Sequence, residues 1–208
     1  MLSPTLLAAG SGFALGLQLI VAIGAQNAFL LRQGLRRSHV GALVVICTLS
    51  DAILIAAGVS GFAAIEARMP WLAPVTLWAG AAFLVWYGAT HALAAWRGGA
   101  ALDPARSGAE SLRAAVLTCL ALTWLNPHVY LDTLVVIGAL SAQFGEARGA
   151  FGVGAAAASL VFFAALGYGA RALSPVFARP RAWQVLDLII AVTMWALAAK
   201  LLIRGVPG

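Results

Sequence analysis

Apolar residues run through this chain in long stretches, with no apolar–polar alternation of the kind that marks half-buried strands. The polar interruptions are few: "RQGLRRSH", "EARMP", "RGGAALDPARSGAESLR", "FGEARG" and "RALSPVFARPR". Between them lie six apolar segments, at roughly 5–31, 38–65, 71–96, 113–143, 150–172 and 182–204. Segments of about 20 apolar residues or more are long enough to cross a bilayer as helix. Open strand edges and irregular backbone leave unsatisfied polar groups against lipid, so helix is the form expected. The pattern predicts one all-α integral membrane domain over 1–208, with about six transmembrane helices and no loop long enough to hold a second domain.

Two of the six segments are interrupted by polar residues. "VAIGAQNAFLLRQGLRR", residues 21–37, places Gly24, Gln26 and Asn27 inside an apolar run, and "TWLNPHVYLDTLVVIG" places Asn126 and Pro127 in another. Asn27 and Asn126 are 99 residues apart, close to half the chain. Three spans per half would make the halves face opposite ways, so the expected arrangement is two inverted three-helix repeats with the first and fourth helices interrupted. The repeats cover about 1–98 and 112–208, joined by a cytoplasmic loop at about 97–113. Paired interruptions of this kind point to a transporter's binding site. Pro127 removes a backbone donor and clashes one turn back, while Gly24 loosens the first span more mildly. Buried amides are expensive in hydrocarbon, so Gln26 and Asn27 are expected to face the protein interior. There they either serve a helix break and a polar solute or act as interhelical glue, worth about 0.6 kcal/mol per hydrogen bond.

Composition identifies the solvent. Hydrophobic residues make up 62% of the 208 and charged residues 10%, with a mean hydropathy of +0.95. Soluble domains carry about 25% charge, so this chain belongs in lipid. The net charge of +6 sits in short arginine clusters between apolar runs, which reads as topology signal and headgroup contact rather than nucleic-acid binding. Twelve of the thirteen basic residues are Arg, a balance attributed to codon usage rather than to a substrate. With the N-terminus outside, nine basic residues face the cytoplasm (Arg32, Arg36, Arg37, Arg97, Arg106, Arg113, Arg171, Arg179, Arg181) and four face out (Arg68, Arg148, Lys200, Arg204). The positive-inside rule therefore places both termini outside. No Lys or Arg precedes Arg32, so the first segment is expected to remain as a span rather than be cleaved as a signal peptide. Cys47 and Cys119 lie in apolar stretches without CxxC spacing and read as small buried hydrophobes rather than a disulfide or metal pair.

Ionisable residues inside the spans are the candidate chemistry. Asp51, in "VVICTLSDAILIAAG", lies near the middle of the second span, where a carboxylate costs about 3 kcal/mol even on translocon scales. Thr48 is one turn away and is the expected hydrogen-bond partner. No Lys or Arg is expected within a span core to pair with Asp51, so this acid either holds a proton or receives a cation. Asp132 follows the Pro127 break, with His128 four residues earlier on the same helical face. His128 is read as a proton relay, an orienting group or a packing residue, and Tyr130 adds a hydroxyl. Asp187 is expected at the start of the last span, favoured by the helix dipole. Glu66, Asp103, Glu110 and Glu146 are placed in loops, and His39 and His91 at interfaces. Trp71, Trp96 and Trp183 are expected in aromatic belts. Gly12 and Gly16 form a GxxxG step that serves either internal packing or a homo-oligomer contact.

"GAQNAFLLRQGL" and "LNPHVYLDT", taken together, resemble the LysE-type lysine/arginine exporter family. Chain length, the six-span pattern, "SDA" at 50–52 and the basic central loop extend the likeness over the whole chain. The resemblance implies a bacterial inner-membrane exporter of basic amino acids driven by the proton motive force, with roles for Asp51 and Asp132. No cofactor or metal is expected. The branch exporting neutral amino acids typically carries "PGP" where this chain has Gly24-Ala25-Gln26, so the basic branch fits better. Two acids without intramembrane bases suit a cationic side chain and an α-amino group, while Asn27, Asn126 and half-helix N–H groups suit the carboxylate. Export of neutral amino acids or of another small cation is the alternative. A more remote one is an intramembrane serine protease, since Gly58-Val59-Ser60-Gly61 spells GxSG and His91 and His128 follow it. A serine nucleophile would need one of those bases within hydrogen-bond reach.

Overall fold

A computed structural model of the protein describes residues 3–21, 24–61, 72–97, 111–173 and 175–205, and regular structure among them is entirely helical. The helices are α1 (Pro4–Ile20), α2 (Ala25–Arg36), α3 (Val40–Val59), α4 (Leu72–Trp96), α5 (Leu112–Trp124) and α6 (Pro127–Tyr130). A π-helical segment (Leu131–Ile137) continues α6 into α7 (Gly138–Ser141), a 3-10 stretch (Ala142–Ala147), α8 (Arg148–Gly169) and finally α9 (Pro180–Gly205). The expected loop positions of Glu66, Asp103, Arg106 and Glu110, and the belt position of Trp71, lie outside the described residues.

Val40–Val59, His128–Leu173 and Arg181–Ala199 are long and apolar enough to cross a membrane. The second of these is broken at Gly145, whose φ of 52° and ψ of −119° leave the helical region. Glycine alone tolerates that backbone without strain. Helices α1 and α2 together give a fourth candidate span, with axes bent by 82°. Helix α5 is apolar but shorter. Apolar side chains also cover the outside: Leu49 and Ile53 of α3, Val153 and Leu160 of α8, and Leu188 and Val192 of α9 are all exposed. Such a surface is stable against hydrocarbon rather than water.

Both interruptions expected from the sequence are present. Helix α1 stops at Ile20, and Asn27, in the first turn of α2, donates its Nδ2–H to the Ile20 carbonyl at 2.8 Å. Helix α5 stops at Trp124, and α6 begins at Pro127. A proline in the first helical turn gives up an N–H that has no helical partner in any case, so Pro127 starts a helix here rather than breaking one from within. Asn126 Oδ1 accepts from the His128 N–H at 3.1 Å, and Tyr130 Oη donates across the break to the Trp124 carbonyl at 2.7 Å.

Two helix pairs dominate the packing, α1 with α8 and α4 with α9, and α3 lies against α8. Gly12 and Gly16 sit against the backbone of Phe151 and Ala155, and Gly154 against Ala9. The GxxxG step therefore packs α1 on α8 within the chain. Trp183, expected in a belt, is 2% exposed in the core beside Phe163, Leu122 and Met194. Its indole N–H donates to the Phe177 carbonyl at 2.8 Å, which lets the ring be buried whole.

Candidate functional site

Helix α2 is preceded by Gly24, an extended residue that gives it no side-chain cap. Its first turn forms part of the wall of a cavity of about 280 Å³, close to the size of a small-ligand site. The cavity is lined by residues of α1, α2, α3, the segment after the second break and α8, together with Leu197 of α9.

Two carboxylates face this space. Asp51 of α3 is 7% exposed, and its Oδ2 accepts the Ser159 hydroxyl of α8 at 2.7 Å. Asp132, on the π-helical segment, is half-buried and lines the same cavity. Single π turns within α-helices occur often at functional sites. His128, four residues before Asp132, also lines the cavity, as do Asn27 and Asn126. Gln26 is buried there, and its Nε2 donor has no hydrogen-bond acceptor. An unsatisfied buried amide costs about 1–3 kcal/mol unless a ligand supplies the missing partner.

The cavity brings together Gln26, Asn27, Asp51, Asn126, His128 and Asp132, with Gly24 at its edge. Tyr130 is not among its lining residues, because its hydroxyl bridges the helix break. Thr48 does not bond Asp51. Its Oγ1 is buried without a partner, and Ser159 takes the expected role. Phe163 and Ile55 add an apolar wall. The sequence showed Ser159 only as one hydroxyl in "AAAASLVFF", and nothing marked Phe163 or Leu197.

A second ionic cluster corrects three expectations. Asp187 does not begin the last helix: α9 starts at Pro180, which puts this 2%-exposed acid two turns inside it. Arg32 of α2 donates to Asp187 Oδ1, and His91 Nδ1 of α4 lies 2.8 Å from the same oxygen. A half-buried arginine therefore does stand within the bundle, and His91 is a core residue rather than an interfacial one. A buried carboxylate needs such partners, which pin α2, α4 and α9 to one another.

Cys47 and Cys119, both buried, place their sulfurs 3.3 Å apart as free thiols. Their burial matches the sequence reading, whereas their contact depends on how α3 packs on α5. Ser60 donates its hydroxyl to the Ala56 carbonyl at 2.7 Å, an ordinary helix-end bond. Among the described residues, no three His, Cys, Asp or Glu side chains converge as a metal site.

Comparison with known proteins points to a family of membrane transporters. A candidate amino-acid transporter of Mycobacterium tuberculosis is 50% identical over 185 residues, covering 89% of this chain and 92% of that protein. A counterpart in Mycobacterium bovis matches to the same extent. The arginine exporter protein ArgO of Yersinia enterocolitica is 43% identical over 195 residues, 93% of this chain and 95% of the relative. No solved structure matches the chain. The family model for LysE type translocators matches residues 17–205, and the chain belongs to that family of membrane amino-acid transporters.

Proposed function

We propose that the protein exports cationic L-amino acids, arginine or lysine, across the bacterial inner membrane in exchange for protons. The observation that carries this reading is the pair Asp51 and Asp132 on the wall of one cavity that also holds the unsatisfied Gln26 amide. One acid pairs with the guanidinium or ammonium of the cargo and the other with its α-amino group. The cargo carboxylate takes the Gln26 Nε2–H and the uncapped N-terminus of α2, where backbone N–H groups and the helix dipole favour an anion. Ile55 and Phe163 accommodate the alkyl stem. The relative named as an arginine exporter supports the same cargo.

Energy coupling follows from charge. The membrane potential, negative inside, opposes exit of a +1 solute by about 2.3 kcal/mol per 100 mV. An inward proton offsets that term, and the cavity acids are suited to carry it. Asp51 alternates between holding the cargo cation and holding a proton, with His128 passing protons between Asp51 and Asp132.

The domain is read as one six-span unit of two inverted halves with both termini periplasmic. Each half has a broken helix followed by two longer ones. The longer helices begin at Val40 and Leu72 in one half and at Arg148 and Pro180 in the other, both offsets being 108 residues. Asp51 and Ser159, which bond each other, are also 108 apart. On this reading, equivalent positions of the two halves meet at the site.

Proteoliposomes test the mechanism. An imposed inward proton gradient is expected to drive labelled arginine or lysine opposite to proton flow, and to fail in Asp51→Asn. Arginine movement that follows the potential alone would make the protein a uniporter. Counterflow favouring threonine over arginine would overturn the cargo assignment.

A further inference from the structure

The Arg32–Asp187–His91 cluster closes as a triangle of three atoms. Arg32 Nη1 and His91 Nδ1 both reach Asp187 Oδ1, and they also lie 2.8 Å from each other. These three contacts are never all hydrogen bonds at once. A guanidinium only donates and an ionised carboxylate only accepts, whereas an imidazole nitrogen does one or the other according to where its proton sits. With the proton on Nδ1, His91 donates to Asp187 and has no lone pair there for Arg32. With the proton on Nε2, Nδ1 accepts from Arg32 and turns a lone pair toward Asp187. Neutral His91 adopts either form, and both keep Arg32 on Asp187.

A second proton on the ring removes that choice. Imidazolium carries N–H on both nitrogens, so Nδ1 donates to Asp187 and places a positive ring 2.8 Å from the Arg32 donor. One carboxylate oxygen then serves two cations among buried groups, where charge is tolerated only when it is paired. Arg32 is the partner able to withdraw: its side chain is 14% exposed against 3% for Asp187. Arg32 and His91 also share the wall of a second cavity, of about 260 Å³, which has room for water. With Nδ1 held in the triangle, Nε2 is the nitrogen left to exchange protons. The charged groups facing the ring are Asp187 from α9 and Arg32 from α2, while Arg36 of α2 shares the cavity wall. Helix α4 itself adds the Tyr87 ring, edge-on with centroids 4.6 Å apart, and α5 adds the uncharged Thr118.

We infer that His91 is a proton-binding site that controls the hold of α4 and α9 on α2: neutral His91 completes the triangle, and protonated His91 releases Arg32. Histidine is the side chain whose charge changes within the physiological range. Release of Arg32 frees the C-terminal half of α2, whose first turn walls the cargo cavity. His91 lies less than two turns before Arg97, at the end of α4 read above as cytoplasmic. That the proton arrives from the cytoplasm rests on that reading; the latch itself does not, and it is measurable without transport.

The full chain, labelled with 15N-histidine and held in lipid nanodiscs, provides the test. It has three histidines, His39, His91 and His128, so His39→Asn and His128→Gln assign the imidazole signals by removing one each. Between about pH 8 and about pH 5, His91 is expected to pass from neutral imidazole to imidazolium. Amide hydrogen exchange is followed over the same range in α2, with α8 as the reference for the pH dependence of the exchange chemistry. The C-terminal half of α2 is expected to lose protection on the order of tenfold at the acidic end, the loss of about one charge-assisted bond. His91→Asn keeps an N–H donor near the Nδ1 position but takes up no proton, and it is expected to hold α2 equally at both ends of the range. His39→Asn, which tolerates the positive φ of 55° at that position, is expected to keep the wild-type response. A His91 signal that stays in one protonation state throughout would overturn the site, and this measurement needs only the wild-type chain. Equal loosening of α2 in His91→Asn, or loss of the response in His39→Asn, would overturn it as well.

Discussion

Replacing Ser159 by alanine removes the hydroxyl that donates to Asp51 Oδ2 at 2.7 Å. A hydrogen bond to a charged group contributes about 1.5–3 kcal/mol. Ser159→Ala is therefore expected to retain export with altered cargo affinity, whereas Asp51→Asn abolishes export while leaving protein in the membrane. Equal, wild-type rates in both variants would reduce Asp51 to a packing residue. Gln26→Leu tests the other end of the cargo. Loss of one donor to its carboxylate is expected to raise the half-saturating arginine concentration roughly 10- to 150-fold, read in the same flux assay. At this scale the sequence was informative wherever chemistry was expensive, because an acid or an amide in an apolar run stands out and most such residues do meet in one cavity. Tyr130 carried the same signal and went instead to the Trp124 carbonyl. A hydroxyl has cheap local partners in the backbone, and a buried carboxylate has few.

Helix breaks were legible because Gly24 and the Asn126–Pro127 step leave local marks on the chain. The Arg32–Asp187–His91 cluster was not, since it joins residues 155 and 96 positions apart across three helices. Arg32, in particular, resembled a topology arginine because Arg36 and Arg37 follow it. Removing one partner leaves the others buried and uncompensated, at a cost of about 3–5 kcal/mol. Asp187→Asn is accordingly expected to lower thermal stability in detergent strongly, and the double variant Arg32→Gln, Asp187→Asn less so. A double variant no more stable than the single one would show that the pair is not coupled. The π-helical register around Asp132 was equally silent, because an extra residue per turn has no compositional mark.

For the whole molecule, the distribution of arginines predicts which face is which. Cysteines introduced at 36 and 179 are expected to resist an impermeant maleimide applied outside intact cells, while one placed at 208 reacts. The reverse labelling would invert the transport direction proposed above. The close fit of α1 and α8 has a further mechanical consequence. Where Gly12 lies against Phe151 and Gly154 against Ala9, backbone meets backbone, and no side chain is present whose rotamer change could let one helix slide on the other. Any alternation between inward and outward access must carry α1 and α8 as a single strut, with displacement taken up at the two helix breaks and along the seam toward α4 and α9. Pairs of spin labels on α1 and α8 should keep one distance throughout turnover, and pairs spanning α8 and α4 should show two.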